Sequence, residues 1–473
     1  MTRRLMTLLL LGGSVAACGR SPAPAPATPS DDPRLAGSYR AERNGWIYVH
    51  VQGAPDRLGF QHGYLLAPEI ADLLRVTKPL LQQLTKHDWA FYREAAEEML
   101  WPKIELEYQQ ELDGIVAGLQ AHGGTADRAD IVALNGMLEL AYYYAPWFDK
   151  QHGHASSVKA PNSCSAFLAT GAYTRDHRIV MGHNAWTDYV VGSRWNVIFD
   201  LVPQSGYRIL MDGLPGVIVS DDDFGISSNG LMVTETTITL FEGFNPKGTP
   251  EFSSARKALQ YGKSIDDYVK TMLDGNNGGY ANDWLIGDNK TGEIARFELG
   301  LNHHRVERST DGYFVGSNFP VDKALIAEET TFKSANTKSS ANARHARWDQ
   351  VMAESKGQID AEIGKRLEAD PYDIVDKQAG PTERSLCGTV DTSPRGIPEW
   401  DWAPFFPGGT VQAKVTTGAM AEELELWAAM GHPCAPDFVA GDFLAKHPEF
   451  NWARDLLRDM KTQPWTTFTS GMK

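Results

Sequence analysis

Cys164, in the run Asn162-Ser163-Cys164-Ser165-Ala166-Phe167, is the residue whose type and setting point most directly to chemistry. It opens a strand-like segment, 164–171, followed by a turn at 173–177 and a second strand-like segment, 178–186. A cut between Ser163 and Cys164 would give one residue both a thiol and a free α-amine. That amine, with a reference pKa of about 7.7–8.0, can act as general base without a separate histidine. Before the cut, the thiol would attack the Ser163 carbonyl, shift the acyl group from nitrogen to sulfur, and lose it to water. Afterwards the same thiolate would attack an ester or amide carbonyl and form a thioester that water resolves. A lone cysteine in an exported chain is more commonly a disulfide partner or a small buried apolar residue. The strand-start position and the small hydroxylated neighbours set Cys164 apart from that background.

Other residues fall into place around it. His183 follows Cys164 by 19 positions, across the expected hairpin, where it could orient the thiol; the plain alternative is a histidine hydrogen-bonded within a sheet. Asn282 begins another strand-like run, where its amide could donate to a developing oxyanion or could simply close a turn. Glu235 and Thr236 alternate in a strand, and one of them could orient the α-amine. Asn184 and Trp186 complete the set of pocket or orienting candidates, with Trp186 suited to lining a pocket or core. Asp221-Asp222-Asp223 lacks the spacing of a calcium loop, and His303-His304 and His152-Gly153-His154 lack partners at zinc-like spacing, so neither metal nor cofactor is expected. No Gly-x-Ser-x-Gly elbow and no His-Glu-x-x-His helix occurs, which removes the common serine-esterase and metalloprotease readings.

The elements that must position these groups alternate in texture. Apolar residues at steps of three and four predict helices over 65–84, 89–119 and 127–144. From 164 to about 320 strands dominate: 164–171, 178–186, 194–202, 206–212, 216–220, 230–239, 282–288, 293–299 and 311–316. Two helices interrupt them near 253–262 and 265–274, the latter opened by a capping-box-like Ser264-Ile265-Asp266-Asp267. Helix, loop and a little strand return after 340, including a helical 419–430. Strands bracketed by helices predict an α+β fold, with helices covering both faces of antiparallel sheets.

Several blocks then line up in order. Asn162-Ser163-Cys164-Ser165-Ala166, Gly182-His183-Asn184-Ala185-Trp186 and Thr234-Glu235-Thr236-Thr237-Ile238 resemble the phospholipase B-like family. The runs Tyr280 to Asp288 and Ala413 to Thr417 match its later blocks, so the resemblance covers roughly residues 45 to 450. It implies the αββα sandwich of N-terminal-nucleophile hydrolases, self-cleavage before the cysteine, and acyl hydrolase or amidase chemistry. The penicillin acyltransferases and choloylglycine hydrolases are more distant kin. They carry an Arg-Asn pair and an acidic residue where this chain has His183-Asn184 and Trp186. That departure argues against bile-salt or penicillin specificity.

The rest of the chain bounds where such an enzyme would work. Arg3 and Arg4, the apolar run 5–11 and Val15-Ala16-Ala17-Cys18 read as a bacterial lipoprotein signal over 1–17, with Cys18 lipidated. Residues 18–38 form a Pro/Ala-rich tether, 39–163 a helical segment retained after cleavage, and 164–473 the nucleophile-bearing core packed with it as one domain. The expected location is the bacterial cell envelope, at the periplasmic face of the outer membrane with the lipid as the only membrane contact, or else secretion. A net charge of −15 without a basic block argues against nucleic acid. Cys387 and Cys434, left over once Cys18 and Cys164 are assigned, could form a disulfide outside the cytosol. The expected substrate is a small acyl ester or amide, phospholipid included. An acyltransferase using the same thioester and a non-catalytic envelope binding protein are the competing readings.

Overall fold

The computed structural model describes residues 32–154, 158, 164–220 and 224–473. Ser163, the lipidation position Cys18, the signal and most of the tether, and Asp221 to Asp223 lie outside the described residues. Two sheets carry the architecture. The first has nine strands: β1 (Tyr39–Arg43), β2 (Trp46–Gly53), β5 (Val197–Pro203), β6 (Ile209–Gly213), β7 (Phe224–Ser227), β8 (Leu231–Thr237), β9 (Asn282–Asp288), β10 (Glu293–Leu299) and β11 (His304–Ser309), in that spatial order. The second has six strands, ordered β12 (Gly312–Gly316), β3 (Cys164–Thr170), β4 (Val180–Asp188), β15 (Gly408–Thr417), β16 (Glu425–Met430) and β17 (Thr466–Thr469). A short ribbon of β13 (Tyr372–Asp373) and β14 (Gln378–Ala379) stands apart. Pairing is antiparallel throughout both sheets except where β2 runs parallel to β5, which stitches the segment before Cys164 into the nine-stranded sheet.

The sheets meet face to face. A Cβ added to Gly287 of β9 would sit 3.1 Å from Ile179 and 3.7 Å from Leu168, and one on Gly316 of β12 would meet Thr236 of β8 at 2.5 Å. Helices close the outer faces. Phe167 packs its ring 5.5 Å from that of Trp348, on the helix Ser340–Glu354, and both are fully buried. On the far side Tyr268, from the helix Ile265–Leu273, packs on Trp284 of β9. Each such aromatic removes enough apolar surface to contribute about 1.5–3 kcal/mol. The result is the expected α+β order of helix, sheet, sheet, helix.

The N-terminal helices fit closely because small residues repeat every four positions. Gly59 and Gly63 of Pro55–Leu65 face Gly114 and Gly118 of Leu106–Ala121, and a Cβ on any of the four would fall within 2.4 Å of a carbonyl oxygen of the other helix. The long helix expected over 89–119 is instead broken. It runs as an α-helix over Trp89–Ala95, widens to a π-turn over Ala96–Leu100, then tightens to a 3₁₀ turn over Trp101–Lys103 at Pro102. Proline removes a donor and its ring obstructs the preceding turn, which ends the regular helix there. A second π-turn, Leu140–Tyr144, lies where the expected helix 127–144 ends.

Two further expectations fail. Residues 216–220 are not a strand; Gly216, at a φ of +84°, turns the chain, and Asn135 takes up its backbone groups by donating to the Gly216 carbonyl and accepting from the Ile218 amide. Residues 419–430 are a single helical turn, Gly418–Glu422, followed by strand β16. Its alanine-rich sequence suits a helix, but pairing with β15 and β17 on both sides wins.

Candidate active site

The hairpin of β3 and β4 sets the site. Its register pairs Cys164 with Ala185 and Ala166 with His183, so thiol and imidazole lie on the same face of the ribbon, two residues apart along it. β3 and β4 both pack on β8, which supplies Glu235. The ligand atoms of Cys164, His183 and Glu235 all lie within 4.8 Å of one another, and all three residues are buried. Cys164 Sγ donates toward Glu235 Oε1 at 3.8 Å, and Tyr280 Oη donates to the same oxygen at 3.3 Å. Asn282, placed with its amide nitrogen toward the carboxylate, donates to Glu235 Oε2 at 2.9 Å. Burial and the neighbouring Lys414 ammonium push His183 well below the ordinary imidazole range, opposed by a hydrogen bond to the Glu235 backbone. Lys414 is held by Asp212, 2.8 Å away and equally buried.

The backbone of Cys164 is held by residues that the sequence did not single out. Its amide donates to Asn318 Oδ1 at 3.5 Å, and its carbonyl accepts from Arg344 Nη1 at 2.5 Å. Arg344 Nη2 donates to the same Asn318 oxygen at 2.7 Å, and Asn318 Nδ2 donates to the Thr237 carbonyl at 2.9 Å. Asn318 sits at a φ of +64°, a left-handed conformation that asparagine tolerates better than most residues. Arg344 is fully buried on the helix Ser340–Glu354, with its guanidinium 4.8 Å from the Trp186 ring. Burial draws its pKa down to about 9, with Cys164 opposing the shift, so it stays charged at neutral pH. A turn asparagine after a strand and an arginine on a helix carry no periodicity that marks them as functional. The one available hint is that Gly316-Ser317-Asn318 follows the strand at 311–316.

The remaining candidates separate cleanly. Trp186 lines the chamber at Cys164, and its indole donates to the Leu386 carbonyl at 3.3 Å. Thr236 supports the site indirectly, through a hydroxyl that accepts from the Asn318 amide at 3.4 Å. Asn184 is a correction. It pairs with Ser165, so it points to the opposite face of the ribbon from the thiol, and its amide donates to the Glu368 and Leu386 carbonyls. It braces the segment outside the sheet rather than the reacting group. Asn282 faces Glu235; the groups that grip Cys164 itself are Asn318 and Arg344. Cys387 and Cys434 are joined by a disulfide, with Cα atoms 6.0 Å apart, leaving Cys164 as the cysteine outside a disulfide among the described residues.

Two cavities adjoin. The chamber at the thiol holds about 30 Å³ and is walled by Leu80, Tyr142, Trp186, Trp195 and Tyr280. A larger one of about 540 Å³, bordered by Tyr143, Trp147, Lys150, Phe241 and Glu242, shares Tyr142 with it. Tyr142 lies in the second π-turn, an irregularity that recurs at functional sites. Glu139 lies just before that turn. Burial pushes its pKa up to about 7, and it accepts from Asn277 Nδ2 at 2.6 Å. Asn277 in turn accepts from the Gly279 amide, which fixes the loop carrying Tyr280 to Glu235.

Comparison with known proteins agrees with the motifs. The Phospholipase B family model matches residues 73–303, a span that holds Cys164, His183, Glu235 and Asn282 and stops short of Asn318 and Arg344. The chain is 22% identical over 404 residues to "Putative phospholipase B-like 1" of Caenorhabditis elegans, covering 78% of this chain and 69% of that protein. It is 25% identical over 236 residues to the "Acyl-coenzyme A:6-aminopenicillanic-acid-acyltransferase 40 kDa form" of Emericella nidulans, covering 48% and 57%. An uncharacterized protein of Archaeoglobus fulgidus is 26% identical over 271 residues, covering 52% of this chain and 42% of that one. Against the first two of its curated relatives, then, the match spans about half of their length, 42% and 57%. Among solved structures, a mutant of the conjugated bile acid hydrolase from Clostridium perfringens aligns with a TM-score of 0.34 at 12% identity, over 56% of this chain and 88% of that one. On its sequence matches, the chain is similar to the phospholipase B-like proteins.

Proposed function

We propose that this chain is an acyl hydrolase of the N-terminal-nucleophile kind, cleaving an ester or amide bond after a cut between Ser163 and Cys164. One observation carries the reading: the nitrogen and the sulfur of a strand-opening cysteine each meet a fixed polar group, Asn318 Oδ1 and Glu235 Oε1. Once the Ser163–Cys164 bond is hydrolysed, the Cys164 nitrogen becomes an α-amine held by Asn318. It takes the thiol proton, the thiolate adds to the substrate carbonyl, and the tetrahedral oxyanion collapses to a thioester. The leaving alcohol or amine takes that proton from the amine, and water then releases the acid. Arg344 and Trp186 give the site a cationic, partly aromatic wall beside Cys164, the kind of fixed field that lowers such barriers, while Asn318 holds the nitrogen through its Oδ1. Glu235 orients the sulfur, and His183, held neutral, packs beside it on the same face of the ribbon. The substrate's bulk fits the larger cavity beyond Tyr142, whose volume lies within the ordinary range for small-molecule sites.

The substrate classes we favour are phospholipid acyl esters and N-acyl amides, from the names of the phospholipase B-like relatives and from the chemistry of the thioester. Acyl transfer to an amine is the second reading, favoured by the match to the Emericella acyltransferase. The chain would work from the cell envelope, tethered by a lipid on Cys18. Incubating the purified protein with a phospholipid and an N-acyl amide, then quenching in acid and mapping peptides, tests the chemistry. An acyl group on the Cys164 peptide, with free acid released in proportion, is the expected result. Turnover of both substrates without a Cys164 adduct, and unaffected by Cys164→Ala, would refute it. Product that shifts from acid to amide when an amine acceptor is added would favour the transferase.

A further inference from the structure

We infer that the chamber at Cys164 is also a binding site for a thiophilic divalent cation of the zinc type, and that the bound ion silences the thiol. The sequence alone offered no metal set, because its histidine and acidic clusters lack the spacing. The fold assembles one from three strands. Cys164 of β3, His183 of β4 and Glu235 of β8 bring one sulfur, one imidazole nitrogen and one carboxylate oxygen within 4.8 Å of one another. A tetrahedral zinc with bonds of about 2.0–2.3 Å holds its ligand atoms ~3.3–3.8 Å apart. The sulfur and Glu235 Oε1 already stand at 3.8 Å, so rotamer adjustments of about an ångström close the set.

The donor mixture selects the ion. Thiolate and imidazole favour zinc-like metals over calcium or magnesium, which take oxygen ligands. Three protein ligands leave a fourth position, and the adjoining chamber of about 30 Å³ is the size of one water. The outer partners are those that metal carboxylates require: Tyr280 and Asn282 both donate to Glu235. The His183 ring is fully buried beside the Glu235 backbone. Charge balances as well. Thiolate and carboxylate offset the dication, Lys414 is neutralised by Asp212, and Arg344 is committed to the Cys164 carbonyl. As the metal–sulfur bond forms, the thiol proton leaves to solvent, with no change of oxidation state. The sulfur lone pair then belongs to the metal and no longer attacks carbonyls. Binding depends on side chains alone, so it is independent of whether the chain acts as a hydrolase.

The test is cobalt(II) titration of the full-length, metal-free protein, read by its sulfur-to-cobalt charge-transfer absorption and then displaced with zinc(II). The Cys387–Cys434 disulfide contributes no thiolate, so the band reports Cys164 or Cys18. One cobalt per chain is expected, with a band that zinc bleaches and that Cys164→Ser, a change that keeps the side chain's size, abolishes. Tyr280→Phe should keep the band and weaken affinity about tenfold. Absence of the band in the wild type, or its persistence in Cys164→Ser, overturns the inference.

Discussion

Asp200 and Glu235 are both fully buried carboxylates in the nine-stranded sheet, yet they keep different company. Asp200 is saturated. It accepts from Tyr48, from two nitrogens of Arg208, from Ser470 and from the Gly471 amide, and its Oδ2 lies 2.7 Å from His50 Nδ1. These partners tie the C-terminal strand to β2 and β5, and they hold the carboxyl well below its usual range against the cost of burial. Glu235 instead meets a thiol, a phenol and a carboxamide. A buried acid locked by cations is a fastener. One surrounded by exchangeable protons, beside a nucleophile, is equipped for chemistry.

The largest effect should fall on the second region alone. Cys164→Ala should lower acyl hydrolysis by on the order of 10⁴-fold or more, since removing a nucleophile removes the covalent route. Its melting temperature should stay close to that of the wild type, which differential scanning calorimetry would check. Next, Asn318→Ala, which removes the acceptor that holds the Cys164 nitrogen, and Arg344→Met, which removes a buried charged donor, should each reduce kcat by about 10²–10³-fold, the size of effect seen when a preorganised polar group is lost. An unchanged kcat in both would remove them from the site, and steady-state kinetics decides.

Asp200→Asn reverses the pattern. It should cost about 2–3 kcal/mol of stability, because the buried donors lose a charged partner, and leave kcat unaltered. The pH dependence has a definite sign. A carboxyl whose folded pKa is depressed contributes stability that is present above its unfolded value of about 4, and that is lost as pH falls toward the folded value. Urea melts of the wild type below pH 4 should therefore steepen in their loss of stability, and those of Asp200→Asn should be flatter.

Glu139 gives an effect of the opposite sign, on stability alone. Its folded pKa is raised to about 7, so its protonated form favours folding, and stability is lost as pH rises through that value. Glu139→Gln should flatten the stability profile between about pH 4.5 and 7, an effect of on the order of 3 kcal/mol at most. It should also leave Tyr280 in place. If activity above pH 7 fell sharply in Glu139→Gln, the loop would depend on the carboxylate itself.

What could be read from the sequence follows from how each feature is encoded. A strand-opening cysteine and a histidine across a two-stranded ribbon are local, and the hairpin register brought them together. Glu235 was legible as a strand residue in a family-like block, though its contact with the thiol needed the stacking of two sheets. Asn318 and Arg344 were not legible, because they reach Cys164 across 154 and 180 residues of chain. Asn184 failed for the most elementary reason. A period of two sends neighbours on a strand to opposite faces, and His183 took the inner one. The helix expected over 419–430 shows local propensity yielding to sheet pairing on both sides.

The most direct test is intact mass and N-terminal sequencing of the purified wild-type chain beside Cys164→Ala. Two associated fragments in the wild type, one beginning at Cys164, and a single uncut chain in the variant are the predicted outcome. A folded wild type that stays uncut, with Cys164 inert to substrate, would contradict the nucleophile assignment and leave the chamber as a binding site.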